Sequence, residues 1–358
     1  MKKIIIFLIL LFPISVKSIS ASSAVAMDLN SNRIFFEQNK DNSRLIASIS
    51  KIMTTIVTIE NCDINKTVTV GDEVLKSFGS AIYIEIGEQL TIKDLLYGLM
   101  LRSGNDAAEV IAKNVAGDME SFAKLMNELA KKIGMTNTIF INAHGLENNL
   151  GKGNISSSYD MALLTKYAFK NDTFKEIFGT KTKTIKSSYK TYSWTTKNKL
   201  LRTTDYITGG KTGYTEKAKR TLVTTASKNN VDVVVVTLND SNDFSDHLDL
   251  YESIFKKYTG FLVLDKDNFK IDEDSLYKKN KLYIKNNFYL AITNDEKKSI
   301  NIKYVLEKNK LPKNNTVVGN AEVYLKDKLM HSEKIYVKVD KKNKLSLWKK
   351  IIGWFKKW

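Results

Sequence analysis

The run Val231 to Leu238 (VDVVVVTL) constrains the fold more than any other segment, because it is apolar at nearly every position. A strand with one face in water alternates apolar and polar residues, whereas a strand covered on both faces reads as a continuous apolar run. This run therefore predicts a central strand. Tyr206 to Tyr214 and Thr221 to Ser227 precede it and predict its antiparallel neighbours.

The rest of the first two thirds of the chain predicts helices that cover this sheet, preceded by a hairpin. A length of 358 residues is enough for a sizeable core. The hairpin is expected from Ala24 to Asp28 and from Arg33 to Gln38. Helices are expected at Ile92 to Leu101, Ala107 to Val115, Met119 to Ile133, Ser156 to Phe169 and Ser245 to Tyr258. The predicted fold class is α/β, more specifically α+β, with a central antiparallel sheet.

After Gly260 the pattern changes to short alternating strands separated by Asn, Asp and Lys. The expected strands are Lys281 to Lys285, Phe288 to Thr293, Ile300 to Glu307, Thr316 to Leu325 and Lys334 to Val339. This pattern predicts a small all-β domain over residues 261–340, without a catalytic constellation of its own.

Ser48 and Lys51 are three residues apart near the start of a predicted helix, which places hydroxyl and amine on one face. A serine hydroxyl becomes a good nucleophile when a neighbour takes its proton, and a lysine can do so if burial or a second cation keeps it neutral. The same spacing recurs five times in this lysine-rich chain, for example at Ser121 and Lys124. Alone, it is more typical of an ordinary helix surface.

Two further motifs, in order, change this interpretation. Ser103-Gly104-Asn105 follows an apolar helical run, and Lys211-Thr212-Gly213 lies in the first predicted strand of the central sheet. Together the three motifs resemble those of penicillin-binding proteins and class A β-lactamases. The sequence-level fold expectation is therefore a β-lactamase/transpeptidase-like domain.

Further segments resemble the D-alanyl-D-alanine carboxypeptidases, the low-molecular-mass penicillin-binding proteins, over residues 21–260. The chain departs from the family pattern at Ser50, Ala143 and Lys219, where threonine, proline and glycine are usual. None of these changes removes a group that the chemistry needs. The segments that carry the resemblance are Ser23 to Asp28, Arg33 to Glu37, Asn137 to Leu146 (NTIFINAHGL), Asn198 to Leu201 (NKLL) and Gly210 to Thr215 (GKTGYT).

The resemblance implies an enzyme that removes the terminal D-alanine from peptidoglycan stem peptides and is inhibited by β-lactams. Ser48 would attack the carbonyl of the penultimate D-alanine, and neutral Lys51 would take its proton. Ser103 would relay a proton to the leaving amine, and Asn105 would orient the substrate amide. No metal or cofactor is implied.

The Lys-Thr-Gly motif is expected to form the opposite wall of the substrate site. Lys211, as a second cation, would depress the pKa of Lys51 and, with Thr212, bind the terminal carboxylate of the substrate. Gly213 belongs to the same substrate-binding motif. By family analogy, the backbone N–H of Tyr214 would form the oxyanion hole with that of Ser48.

Two alternatives remain open at this stage. A β-lactamase shares the acylation apparatus but needs a base for the deacylating water, and no segment resembles a loop with such a glutamate. A catalytically silent wall-binding or scaffold protein could also keep the fold. His144, one of three histidines, is interpreted as a packed or loop-fixing residue, and Cys62 as a structural thiol.

The two ends of the chain predict export and membrane attachment. Met1-Lys2-Lys3, an apolar run and a small-residue segment are typical of a secretory signal peptide over residues 1–20. Residues 345–358 (LSLWKKIIGWFKKW) predict an amphipathic helix lying on the outer face of the cytoplasmic membrane. The net charge of +17 could suggest nucleic acid, but a basic tail and an anionic cell wall explain it more simply.

Overall fold

A computed structural model describes residues 19–271, 277, 280–307 and 313–339. The first eighteen residues of the predicted signal peptide and the whole predicted tail helix, residues 345–358, lie outside the described residues. Within the described part of the chain, no helix combines the length and the apolar character needed to span a bilayer.

The helices and strands alternate irregularly along the chain. The α-helices are α1 (Lys51–Asn61), α2 (Ile92–Leu101), α3 (Asn105–Ala116), α4 (Met119–Ile133), α5 (Ser158–Ala168), α6 (Asp172–Phe178), α7 (Lys199–Thr203) and α8 (Asp243–Lys257). The strands are β1 (Ser23–Asp28), β2 (Ile34–Gln38), β3 (Arg44–Leu45), β4 (Thr67–Thr69), β5 (Gln89–Thr91), β6 (Ile155–Ser156), β7 (Thr182–Lys186), β8 (Thr191–Thr195), β9 (Ile207–Thr215), β10 (Lys219–Lys228), β11 (Val231–Leu238), β12 (Thr259–Leu264), β13 (Lys281–Tyr283), β14 (Phe288–Ile292), β15 (Ile300–Leu306), β16 (Thr316–Leu325) and β17 (Lys328–Lys338).

The central sheet has five antiparallel strands in the order β2-β1-β11-β10-β9. The predicted central position of β11 is confirmed, and its side chains explain the unbroken apolar run. Val234 and Val236 pack into the core beneath α1 to α6, while Val233 and Val235 pack against α8 on the other face. Because both faces are covered, both sets of alternate positions are largely apolar, and the buried Thr237 on the α8 face is hydrogen-bonded to His247 at 3.1 Å.

The all-β region after α8 has its own apolar core, which includes Val318, Val323 and Ile335. A four-stranded sheet, β13-β17-β16-β15, packs with the pair β12 and β14. Two sequence expectations need correction here. The last strand is Lys328–Lys338, longer than the predicted Lys334 to Val339, because it pairs along the whole of β16. Thr259–Leu264 is also a strand, which the sequence analysis did not predict.

Arg33 joins the all-β region to the central sheet. Its guanidinium donates two hydrogen bonds to the Glu296 carboxylate, at 2.8 and 3.0 Å, and one to the carbonyl of Ala291 at 2.9 Å. It also lies 4.8 Å from the ring centroid of Tyr258, at the end of α8. A planar, permanently charged group can satisfy a carboxylate and a ring at once, which a lysine cannot do as well.

Candidate active site

Ser48 lies in a tight helical turn, Ala47–Ser50, that leads directly into α1. The turn is held from both sides. The hydroxyl of Ser50 donates to the Ala47 carbonyl at 2.7 Å, and the hydroxyl of Thr221 on β10 donates to the Ile46 carbonyl at 3.0 Å. Ala47 has a positive φ of 48°, which is strained for a residue with a Cβ. Such strain persists only where the surroundings impose it, as these contacts do.

Lys51, the first residue of α1, is completely buried. Its Nζ lies 3.1 Å from Ser48 Oγ, 2.7 Å from Asn105 Oδ1 and 2.6 Å from the carbonyl oxygen of His144. Burial lowers the pKa of Lys51 well below its usual value, and the positive charges of Lys211 and Lys197 lower it further. The amine next to the serine is therefore one that readily gives up its proton.

Lys211, on β9, is also buried. Its Nζ donates to Ser103 Oγ at 3.0 Å and to the Thr212 carbonyl at 2.7 Å. Burial, with a smaller contribution from Lys197, lowers the pKa of Lys211 to about 7. Ser103 has a positive φ of 67°, so the turn between α2 and α3 presents its hydroxyl in a strained conformation.

Asn105 is the first residue of α3, and both the oxygen and the nitrogen of its side-chain amide form hydrogen bonds. Its Oδ1 accepts from Lys51, and its Nδ2 donates to the Phe78 carbonyl at 2.6 Å. The neighbouring Asp106 accepts from the backbone N–H groups of Ile82 and Tyr83, at 3.0 and 2.7 Å. These bonds fix the loop that precedes β5 against the site. The expected contact of Asn105 with a substrate amide stays a prediction.

Gly213 is the point where β9 meets the serine turn. A Cβ at this position would lie 2.4 Å from Thr221 Oγ1, 2.9 Å from the backbone nitrogen of Ser48 and 3.1 Å from that of Ile49. Only glycine permits this approach. Thr212 is half-buried beside it, whereas the Tyr214 side chain is 62% exposed.

Known proteins resemble this chain in sequence and in fold. A family model described as D-alanyl-D-alanine carboxypeptidase matches residues 12–242. The chain belongs to this family. A second model, described as the penicillin-binding protein 5 C-terminal domain, matches residues 258–343.

Individual relatives agree with this assignment. The D-alanyl-D-alanine carboxypeptidase DacF of Bacillus subtilis is 33% identical over 228 residues, which are 62% of this chain and 58% of DacF. The chain thus spans less than two thirds of that relative. Among solved structures, penicillin-binding protein 5 of Haemophilus influenzae has a TM-score of 0.72 at 24% identity, over 90% of this chain and 98% of that one. A mutant of the Streptomyces K15 DD-transpeptidase has a TM-score of 0.62 at 30% identity, over 66% of this chain and 97% of that one.

The three departures from the family pattern are accommodated locally. The backbone N–H of Ala143, which proline would lack, donates to Met119 Sδ at 3.1 Å. Lys219 adopts a positive φ of 58° where the family usually has glycine. Ser50 supplies the hydroxyl that holds Ala47.

Sequence reasoning did not identify several groups that shape the site. Lys197 donates to Ser80 Oγ at 3.0 Å and adds positive charge near both buried lysines. The position of Lys197 directly before the NKLL segment was the sequence signal that could have identified it as a site residue. Thr215 Oγ1 donates to Glu147 at 2.5 Å, joining β9 to the loop after His144.

His144 contributes its backbone to the site. Its carbonyl accepts from Lys51, and its ring Nδ1 accepts from the backbone N–H of Leu146 at 3.1 Å. Burial, together with the charge of Lys51, lowers the pKa of His144 to about 3, so the ring is neutral at ordinary pH. Across the described residues, no group of three or more His, Cys, Asp or Glu side chains is arranged to hold a metal ion.

Proposed function

We propose that this protein is a serine-type D-Ala-D-Ala carboxypeptidase that removes the terminal D-alanine from peptidoglycan stem peptides. The observation that supports this proposal is the set of hydrogen-bond partners around Lys51 Nζ. A neutral amine has two N–H donors and one lone pair, and the site offers two obligate acceptors, Asn105 Oδ1 and the His144 carbonyl, together with one hydroxyl, that of Ser48. The lone pair is therefore directed at the proton of Ser48.

The reaction follows from these positions. Ser48 Oγ attacks the carbonyl carbon of the penultimate D-alanine while its proton passes to Lys51. The carbonyl oxygen becomes an oxyanion, stabilised by the backbone N–H groups of Ser48 and Tyr214. The tetrahedral intermediate then collapses, and the C–N bond breaks. The leaving amine receives the proton through Ser103, and water hydrolyses the resulting ester on Ser48.

Lys211 has a different task in this proposal. Its ammonium, with the Thr212 hydroxyl, binds the carboxylate of the terminal D-alanine, and β-lactams carrying a carboxylate bind in the same way. Lys211 also contacts Ser103, so a bound carboxylate and the proton relay share one cation.

The family match does not favour a β-lactamase or a catalytically silent scaffold protein, and a labelled penicillin separates these two functions from the carboxypeptidase. A long-lived penicilloyl adduct on Ser48 supports the carboxypeptidase. Rapid turnover of the adduct would support a β-lactamase, and failure of the folded protein to react would support the scaffold.

We also propose that the protein is exported and attached to the outer face of the cytoplasmic membrane by residues 345–358. The support is the sequence alone: the segment combines three tryptophans with four lysines and has no acidic residue. Such a segment fits an anionic lipid surface.

Substitution of Ser48 and Lys51 tests the catalytic proposal. Ser48→Ala should abolish both penicillin labelling and D-alanine release. Lys51→Arg should slow acylation about 100-fold or more, because a guanidinium stays charged and cannot act as a base. Both are measured by fluorescent-penicillin labelling and by D-alanine release from a defined pentapeptide.

Ser121 and Lys124 provide matched controls, since they have the same spacing on the surface of α4. Ser121→Ala and Lys124→Arg should leave both readouts unchanged. Labelling of the Ser48→Ala protein at another serine would place the nucleophile elsewhere and contradict the proposal.

A further inference from the structure

A cleft of about 800 Å³ lies between the central-sheet domain and the all-β region, and none of the active-site residues described above lines it. Its walls come from the β1–β2 turn, α5 and the strands β9 to β11 on one side, and from β14 and β17 on the other. Ligand sites in proteins have volumes of about 300–1,000 Å³ and are frequent at domain interfaces. The cleft thus has the size and place of a ligand site.

Lys166 on α5 brings a positive charge to the cleft. The lysine is half-buried and donates to the carbonyl of Asn30 at 3.1 Å, but no ion pair to it occurs among the described residues. Burial lowers the pKa of Lys166 to about 8, and nearby Lys170 lowers it further, while Asp28 opposes the shift. A partly desolvated ammonium gains most from an anionic partner.

The two carboxylates that line the cleft are already engaged. Asp232 accepts from the side-chain amide of Asn30 at 3.1 Å. Glu333 accepts from the amide of Asn286 at 3.2 Å, and its other oxygen lies 3.4 Å from His331 Nε2. The lining also includes Lys170 and Lys175, of which Lys175 is ion-paired with Asp172 at 2.8 Å. Side chains of the cleft wall thus hold both carboxylates in place, whereas no ion-pair partner holds Lys166 among the described residues.

The uncharged part of the lining is suited to a sugar. Asn286 and Asn287 are exposed at the mouth on the β14 side, and their amides can both donate and accept hydrogen bonds. The half-buried His331 ring is stacked on Phe288, with centroids 4.0 Å apart and planes 6° apart, which fixes a flat surface inside the cleft. Amides match hydroxyl and acetamido groups, and a flat ring matches the face of a pyranose.

We propose that this cleft binds the glycan strand of peptidoglycan, an N-acetylated amino-sugar chain that carries a free lactyl carboxylate wherever no stem peptide is attached, with Lys166 contacting such a carboxylate. The choice of this polymer rests on the proposed function, because the enzyme that trims stem peptides meets the strand to which they are attached. The site would hold the polymer while a stem peptide reaches Ser48.

Peptide-free glycan strands with free lactyl carboxylates provide the test, since they offer nothing for the active site to cleave. Binding to the full chain is measured by calorimetry, and Lys166→Met should weaken it about tenfold or more, because a charged hydrogen bond is lost. Lys124→Met, on the surface of α4, is the matched control and should bind as wild type. Asn286→Ala, at an exposed position on the opposite wall, should also weaken binding.

The outcomes separate this inference from the proposed function. D-alanine release from a small soluble pentapeptide should be unchanged in Lys166→Met and Asn286→Ala. No binding of peptide-free strands by wild type, or equal binding by all variants, overturns the cleft proposal even if D-alanine release is normal. Tighter binding of a poly(glycerol phosphate) chain than of the glycan overturns it too, because the anion recognised would then be a phosphate. Strand binding with no D-alanine release would instead leave the cleft proposal standing and refute the carboxypeptidase.

Discussion

Two buried lysines with opposite requirements share one small site. Lys51 must be neutral to accept the proton of Ser48, whereas Lys211 must be charged to bind a carboxylate. Burial lowers the pKa of both, and the positive charge of Lys211 adds to the shift at Lys51. A bound carboxylate favours the charged form of Lys211, so carboxylate binding and protonation of Lys211 support each other.

The Lys211 proposal predicts a substrate-dependent loss. Lys211→Ala should lower kcat/KM for a peptide with a free C-terminal carboxylate about 30-fold or more, and much less for the esterified analogue, because only the first loses a charge pair. In the wild type, the lysine loses its charge as pH rises through about 7. KM for the free carboxylate should therefore rise above that pH, while KM for the ester should not.

Steady-state kinetics on the two peptides across this pH range measure both effects. Equal losses on both substrates would contradict carboxylate recognition, and would instead indicate that Lys211 acts mainly on Lys51.

At the scale of elements, the site depends on how closely β9 packs against the turn that carries Ser48. Gly213→Ala would place a Cβ 2.9 Å from the backbone nitrogen of Ser48, so the turn or the strand must move. Because that N–H is a proposed oxyanion donor, we expect acylation by penicillin to slow about 100-fold. Stopped-flow labelling measures the rate.

Gly117→Ala is a useful comparison for this variant. An added Cβ there meets nothing within 4 Å, but the residue has a φ of +88° at the end of α3. It should cost about 1 kcal/mol of unfolding free energy without slowing acylation. An acylation rate in Gly213→Ala equal to that of wild type would show that the close approach is dispensable.

Several long elements were predicted well from the sequence, whereas the longest strand, β17, and the short strands were not. β11, α2 and α4 have the predicted ends, because β11 is a continuous apolar run and the two helices carry a strong helical period. β3 has two residues and pairs Arg44 with Ser156, more than a hundred positions away, so no local pattern announces it. The sequence did not identify Lys197 or the His144 carbonyl as parts of the site for the same reason. Only the fold brings them close to Lys51.

At the scale of the whole molecule, the junction between the central-sheet domain and the all-β region forms the proposed binding site for the glycan strand, separate from the active site. Arg33 holds the all-β region against the end of α8 through Glu296 and Tyr258, and the proposed glycan cleft opens at the same junction. Strand binding and peptide cleavage would then use separate surfaces of one molecule, with the proposed membrane-binding segment following the all-β region in sequence.

The tail proposal predicts a separation of attachment from catalysis. On a helix, one face of residues 345–358 would be apolar, and its partial burial contributes a few kcal/mol at about 25 cal/mol per Å². Each lysine near an anionic surface adds roughly 1 kcal/mol. The apolar set is Trp348, Ile351, Ile352, Phe355 and Trp358, and the lysines are Lys349, Lys350, Lys356 and Lys357.

Deletion of residues 345–358 should therefore release the protein from anionic liposomes, while D-alanine release from a small soluble peptide stays close to that of the full chain. High salt should detach the full chain only partly, because screening removes the contribution of the lysines and leaves that of the aromatic and aliphatic side chains. Co-sedimentation with liposomes measures both effects. If the shortened protein still sediments with the liposomes, or if it unfolds, the tail belongs to the fold and does not act as a membrane anchor.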